Sequence, residues 1–164
     1  MFNMKKIAIT VFIVLGVVSL TGCGKQENYK ATKSGLELQS IQKQEFETTY
    51  NTAFASTMSV FQDRGYVIQT ADKETGFITA ASHKTEGFAF FVGQTVDFLK
   101  ATAFIENMPS GMVSVRLNFV NNQETSSGYG MQGGNSVPVE DPKFYQSVFE
   151  KIKKAIFIRT STNK

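Results

Sequence analysis

Residues 112–120, Met-Val-Ser-Val-Arg-Leu-Asn-Phe-Val, are the clearest strand in the sequence. Apolar side chains alternate with polar ones along it: Val113, Val115, Leu117 and Phe119 against Ser114, Arg116 and Asn118. Successive side chains of a strand point to opposite faces of a sheet. The run therefore predicts an antiparallel sheet with one buried face and one face in contact with water.

Two helices are predicted to cover the buried face. The first follows Thr48 or Thr49, either of which can cap it, and ends at Gly65. The second begins at Asp141-Pro142, with Asp as the N-cap and Pro in the first turn. Each carries one apolar stripe at helical spacing. The stripes are Tyr50, Ala53, Phe54, Thr57, Met58 and Phe61 in the first helix, and Tyr145, Val148, Phe149, Ile152, Ala155 and Ile156 in the second.

Three further β segments complete the predicted domain. An edge strand is expected over residues 37–46, a hairpin over 66–82 with its turn at 71–76, and another strand over 98–105. The order β-α-β-β-β-β-α predicts an α+β two-layer sandwich, with two helices on one face of an antiparallel sheet of about five strands. A single domain is expected over residues 36–160, followed by a tail at 161–164.

Two segments do not fit this simple pattern. Residues 84–98 are an aromatic insertion, whose most apolar window includes Phe88, Phe90, Phe91 and Val92. The insertion fits an extension of the hairpin, a short helix over the sheet, or a loop that presents aromatic side chains outward. Its rings either complete the core or form an interface with a membrane or partner. Residues 121–138, rich in Gly, Ser and Asn, are predicted to be a long mobile loop.

The N-terminus has the layout of a secretory signal. Two lysines precede the uncharged apolar run Ile7–Leu20, which is shorter than the roughly 20 residues of a membrane-spanning helix. The run ends in Leu20, Thr21, Gly22 and Cys23, the only cysteine. This tetrapeptide resembles a bacterial lipobox, which implies that residues 1–22 are removed and that Cys23 is lipidated. The alternative is a plain signal peptide or anchor with an incidental cysteine. Polar residues 23–35 are predicted to be a flexible tether.

Charge and residue chemistry exclude several classes of function. Seventeen Lys and Arg include two in the signal, which leaves fifteen against fourteen Asp and Glu and a net charge near +1. This balance does not favour a nucleic-acid surface, which needs a clustered basic face. Once Cys23 is lipidated, no thiol remains for a disulfide, a thiolate metal site or a nucleophile.

Candidate catalytic and metal-binding groups are sparse. His83 is the only histidine, so it lacks the partners of a catalytic triad or a zinc site. The carboxyl pairs Glu45/Glu47, Asp72/Glu74 and Glu140/Asp141 are expected on an edge strand, in a turn and at a helix cap, where each has a structural role. No catalytic residue, metal or cofactor is predicted.

Two stretches resemble a family of uncharacterised bacterial envelope lipoproteins. They are Phe61–Ala80, which covers a helix end and a hairpin, and Asp141–Phe157, which starts the last helix. The resemblance covers about residues 38–158 and implies a fold without an activity. The layout is also similar to the repeated domains of BamC, the lipoprotein subunit of the outer-membrane β-barrel assembly machine, through element order alone.

These features lead to an expected function and location. Gly24 and Lys25 lack the aspartate of an inner-membrane retention signal, so in a cell with two membranes the outer membrane, facing the periplasm, is expected. There the protein is predicted to bind another envelope protein, as a non-enzymatic accessory or scaffold lipoprotein. The alternative is a small-ligand or lipid-binding lipoprotein with a pocket between sheet and helices, gated by residues 84–99.

Overall fold

The computed structural model describes residues 33–89, 93–127 and 132–162. Within them lie three helices: α1 (Gly35–Gln42), α2 (Tyr50–Asp63) and α3 (Pro142–Thr162). The seven strands are β1 (Lys43–Phe46), β2 (Val67–Asp72), β3 (Phe77–Ala81), β4 (Thr85–Ala89), β5 (Gly93–Asn107), β6 (Val113–Ser126) and β7 (Gln132–Pro138). The predicted α+β class with an antiparallel sheet is confirmed, although the described residues hold seven strands rather than about five and three helices rather than two.

The two longest strands organise the sheet. A path of five strands runs in the order β1-β6-β5-β3-β2, while β4 pairs with β5 and β7 pairs with β6. One part of β5 (100–104) pairs with β3 and the other (93–97) with β4. In the same way β6 pairs with β1 at 113–116 and with β7 at 120–126. We call β4, β7 and residues 93–99 and 120–126 the distal sheet, and the rest the proximal sheet.

The core lies between the proximal sheet and the helices α2 and α3. The alternating residues Val113, Val115, Leu117 and Phe119 are buried as predicted, as are Ala101, Ala103 and Ile105 on β5. The Phe119 ring contacts Phe61 on α2 and Tyr145 on α3, with ring centroids 6.0 and 5.6 Å apart. Phe119 therefore joins the sheet to both helices. Ser114, predicted to face water, is buried between cross-strand neighbours on β1 and β5.

The predicted caps of the two long helices are present. The Thr49 hydroxyl accepts the N–H of Thr52 at 3.3 Å, and the Asp141 carboxylate accepts the N–H of Lys143 at 3.0 Å. These side chains satisfy backbone donors that the first helical turn leaves free. Gly65, just after α2, has a φ of 81°, which fits the predicted helix end.

The predicted edge strand over 37–46 is mostly wrong. Only β1, over its last four residues, is extended, and α1 occupies the rest. Ser34 and Glu37 form a reciprocal capping box, in which the Ser34 hydroxyl accepts the Glu37 N–H and the Glu37 carboxylate accepts the Ser34 N–H at 2.8 Å. This cap stabilises a helix that buries none of its residues. The predicted tether and domain boundary at 35/36 therefore fall inside a helix.

The predicted loop over 121–138 is also wrong in its described parts. β6 continues to Ser126 and β7 covers Gln132–Pro138. Pairing with β5 and β6 gives these Gly, Ser and Asn residues their backbone hydrogen bonds, although they lack the apolar alternation that marks a half-buried strand. At the other end, α3 continues to Thr162, so the tail predicted at 161–164 begins as helix.

Candidate interaction surface

The sheet has one face without helices, which we call the open face. The strand register identifies its residues, because paired residues project to the same side. Phe77 pairs with Phe104, Ala81 with Lys100, and Phe88 with Gln94. Phe77 and Phe104 are next in the chain to Ile78 and Ala103, which are fully buried. Because successive residues of a strand face opposite sides, Phe77 and Phe104 lie on the open face. The apolar residues placed on the open face are Val67, Phe77, Ala81, Phe88, Val96, Phe98, Phe104, Val120 and Pro138.

The exposed large apolar residues of the described strands all lie on the open face. They are Val67, Phe77 and Phe88, whose exposed fractions are 57%, 46% and 75%. Beside them Phe98 and Phe104 are half-buried, and the Phe104 ring packs on Phe77 with centroids 4.9 Å apart. The open face therefore carries apolar residues in both the proximal and the distal sheet, which we call the aromatic patch. The patch is interrupted, because Thr79, Thr102 and Lys100 lie between the Phe77–Phe104 pair and the group of Val67, Ala81 and Phe98.

Charged residues of both signs surround this patch. The basic residues Lys43, Lys84, Lys100 and Arg116 are balanced by the acidic residues Glu45, Asp72, Glu86, Glu106 and Glu124. Lys84 connects two of the strands, because its ammonium lies 3.3 Å from the Glu124 carboxylate and 5.1 Å from the centre of the Phe98 ring. An exposed ion pair of this kind contributes little stability. The face has no strong net charge.

In the distal sheet, the side that continues the buried face is mostly polar. On the side that continues the buried face, its residues are Thr85, Asp97, Gln123 and Asn135 in one row and Gly87, Thr95, Thr125 and Gly133 in the next. The Gln123 amide donates to the Asp97 carboxylate at 2.9 Å. Polar and small residues thus occupy this side, apart from Leu99 and Val137 in the row next to the core, and the aromatic residues occupy the open face.

Two of the shallow grooves along the distal sheet lie beside phenylalanines of the open face. One, of about 440 Å³, is lined by β4 and β5 residues that include Phe88 and Val96. The other, of about 490 Å³, crosses the open face and is lined by Val67, Ala81, Phe98 and neighbouring polar residues. Polar and apolar side chains contribute about equally to the walls of both grooves.

The predicted site residues are only partly placed by the structure. The described residues 84–89 and 93–99 extend the hairpin, as one of the three alternatives expected, and Phe88 projects from the open face rather than into the core. Phe90, Phe91 and Val92 lie outside the described residues, as do Leu20, Thr21, Gly22 and Cys23.

The sequence pattern does not identify the rest of the patch. It places Phe77 and Phe104 in strands but does not indicate which face of the sheet they occupy. The pattern that could have indicated the face is the alternation over residues 98–105. Phe98 and Phe104 lie on one side of this strand, and the small and aliphatic residues of the buried side lie on the other. The two faces of this strand are both partly apolar, so alternation alone does not indicate which face is covered.

In the described part of the chain, the side chains considered for catalysis or metal binding are not brought together into a site. His83 is exposed at the end of β3, and no group of three or more His, Cys, Asp or Glu side chains there could hold a metal ion. Hydrogen bonds from the Thr75 hydroxyl and the Glu74 N–H lower the pKa of the Asp72 carboxyl and close the β2–β3 turn. None of the helices described is long and apolar enough to cross a membrane.

Comparison with known proteins gives no family. No family model and no curated protein matches the chain. Among solved structures, the chain is similar to a TBP-like protein from Parabacteroides distasonis ATCC 8503, at 12% identity and a TM-score of 0.37. The match covers 70% of this chain and 90% of that protein. A likeness this distant carries no argument about function.

Proposed function

We propose that this protein is a lipid-anchored, non-enzymatic lipoprotein of the bacterial envelope that binds another envelope protein through its open face. The anchor is Cys23, at the end of the Leu20–Cys23 lipobox, after removal of residues 1–22. In a cell with two membranes, the domain is held at the outer membrane and faces the periplasm. The protein is an accessory or scaffold subunit rather than an enzyme.

The observation that carries this proposal is the one-sided aromatic patch. Isolated exposed apolar residues are common on proteins, whereas exposed apolar surface among polar residues on one face marks interaction sites. Val67, Phe77 and Phe88 come from three different strands and share one face with two half-buried phenylalanines. The balanced charges around them suit a protein surface better than the phosphate backbone of a nucleic acid.

A ligand-binding lipoprotein with a pocket between sheet and helices has less support. Aromatic rings fill that space, where Phe119 contacts Phe61, Tyr145 and Phe144 with centroids 4.9 to 6.0 Å apart. The grooves beside Phe88 and Phe98 lie on the outer surface of the sheet instead. They suit the side chains of a partner.

Photo-crosslinking in the native envelope tests the proposal. A photoreactive amino acid replaces Phe77 or Phe88 on the open face, and Asn135 on the opposite side of the distal sheet serves as the matched control. We expect one protein to be crosslinked from both Phe77 and Phe88 but not from Asn135. No product from the open face, or the same product from all three positions, would contradict the assignment of this face as the interface.

A further inference from the structure

The outer surface of the C-terminal half of α3 carries both basic residues and large apolar residues. Lys151, Lys153, Lys154, Phe157 and Ile158 are all exposed, the last two with exposed fractions of 71% and 52%. Lys153 and Lys154 precede Phe157 and Ile158 by four residues each, so each pair lies together on the helix surface. We call these five residues the α3 tip.

The opposite side of α3 is already occupied. Ile152 and Ile156 are buried in the core, and the Arg159 guanidinium donates to the Ser59 hydroxyl of α2 at 2.6 Å. These contacts fix the rotation of the helix, so that the α3 tip points away from the domain. Phe157 and Ile158 are therefore exposed because of the fold and not because the helix end is unattached.

The charge around the α3 tip is mostly positive. Glu150 is exposed one helical turn before Lys153 and Lys154 and is the acidic residue of α3 next to the tip. After Glu150 the chain contains no Asp or Glu, but it contains Lys151, Lys153, Lys154, Arg159 and Lys164. The neighbouring groove between the ends of α2 and α3, lined by Asn51, Thr52, Ala55, Ile158, Arg159 and Thr162, has no acidic residue either. This differs from the open face, where acidic and basic residues balance.

We propose that the α3 tip docks on an anionic lipid bilayer, with the lysines at the headgroups and Phe157 and Ile158 in the interface. Helices that lie on membranes combine basic residues with large apolar ones in this way. Each lysine near an anionic surface strengthens binding by about fivefold. Charge complementarity thus favours lipid headgroups, and the two apolar tips suit the boundary between headgroups and acyl chains.

This docking rests on the proposed lipid anchor and extends it. Lys33 follows Cys23 by ten residues, so the anchor holds the start of the described domain within about 36 Å of the bilayer. The helices and the open face lie on opposite sides of the two-layer domain. Contact through α3 would therefore direct the open face away from the membrane and toward a partner.

Radical footprinting of the full chain tests the docking. The protein is reconstituted into phosphatidylcholine vesicles with or without phosphatidylglycerol, and oxidation of the Phe157 side chain is measured by mass spectrometry. We expect phosphatidylglycerol to lower Phe157 oxidation about threefold or more, while oxidation of Phe88 on the open face stays unchanged. The double charge reversal Lys153→Glu with Lys154→Glu should remove this protection. The matched control, Lys73→Glu with Lys100→Glu at exposed positions elsewhere, should keep it.

Other outcomes would overturn the docking. Equal Phe157 oxidation in the two kinds of vesicle would exclude recognition of anionic lipid. Protection that persists in the Lys153/Lys154 variant would exclude the proposed charge contacts. Protection in native envelopes but not in vesicles would assign the α3 tip to a protein partner. The intact mass of the same preparation shows whether Cys23 carries lipid, so failure of the anchor is distinguished from failure of the docking.

Discussion

Gly76 is the residue at which the β2–β3 turn meets β5. Its φ is 80°, and its carbonyl accepts the N–H of Ile105 at 2.9 Å. A Cβ at this position would collide with the backbone carbonyl oxygen of Ile105. Both the backbone conformation and the close approach therefore require glycine here, and a sequence pattern reveals only the turn.

We expect Gly76→Ala to destabilise the protein by about 3 kcal/mol or more, because the strained φ and the backbone collision add. Gly111→Ala is the matched control. Gly111 has a φ of 83° but open space around its Cβ position, so this variant should lose only about 1 kcal/mol. Urea unfolding of the two variants measures the difference. Equal losses would show that the turn moves away from β5 without cost.

Tyr145 supplies a polar group inside the core. Its hydroxyl oxygen accepts the N–H of Phe119 at 3.3 Å and the side-chain amide of Gln42 at 3.1 Å. Burial raises the pKa of the Tyr145 phenol, while these hydrogen bonds act in the opposite direction. The neutral phenol is therefore favoured by folding, because the unfolded chain ionises it more easily.

Tyr145→Phe should lower the free energy of unfolding by about 1–2 kcal/mol at neutral pH, since the buried Phe119 N–H loses its acceptor. The pH dependence has a defined sign. The stabilisation of the neutral phenol is fully present below its unfolded pKa of about 10 and is lost as the pH rises through the higher pKa of the folded state. The stability of the wild type should therefore fall more steeply above about pH 10 than that of the variant. Parallel curves in urea unfolding at several pH values would contradict this role.

Whole elements differ in how directly the sequence indicates them. The helices α2 and α3 follow from apolar stripes that pack on the sheet, and their caps follow from Thr49 and Asp141. The sequence pattern predicted a loop in place of β7 and left the structure of β4 undecided. Neither side of β7 is apolar, and no helix covers the distal strands. The helix α1 was missed because its capping box stabilises it without burial. Local patterns therefore predict the elements that build the core better than those that do not.

The two parts of the sheet should differ in local stability. Residues 101–105 of β5 alternate between buried and half-buried positions, whereas residues 93–97 of the same strand are half-buried or exposed. We expect amides of 93–97 to exchange hydrogen through local openings, with free energies at least about 2 kcal/mol below those of 101–105. Native-state hydrogen exchange measures both within one strand. Uniform values along β5 would mean that the distal sheet unfolds only together with the core.

At the scale of the whole molecule, the two layers present different surfaces. The open face carries an aromatic patch with balanced charges, and the helix layer ends in the basic α3 tip. A protein partner on one side and a bilayer on the other would suit a domain that is held at a membrane. The lipid anchor on Cys23 joins these two proposals.

Cys23→Ala should abolish lipid attachment, because the substitution removes the sulfur that carries the lipid. The variant should then be released from membranes if it is still cleaved, or accumulate as the uncleaved precursor. Metabolic labelling with a fatty acid, followed by membrane fractionation, distinguishes these results from wild-type behaviour. Retained label with unchanged processing would show that Cys23 is an incidental cysteine.

The sequence by itself determined the α+β class, the two long helices with their caps, the β2–β3 hairpin and the buried side of residues 113–119. These features depend on periodicity and on contacts between residues near one another in the chain. Only the tertiary structure decided that Val67, Phe77, Phe88, Phe98 and Phe104 share one face. That grouping depends on the register between distant strands and on which side of the sheet the helices cover, and no local pattern contains either.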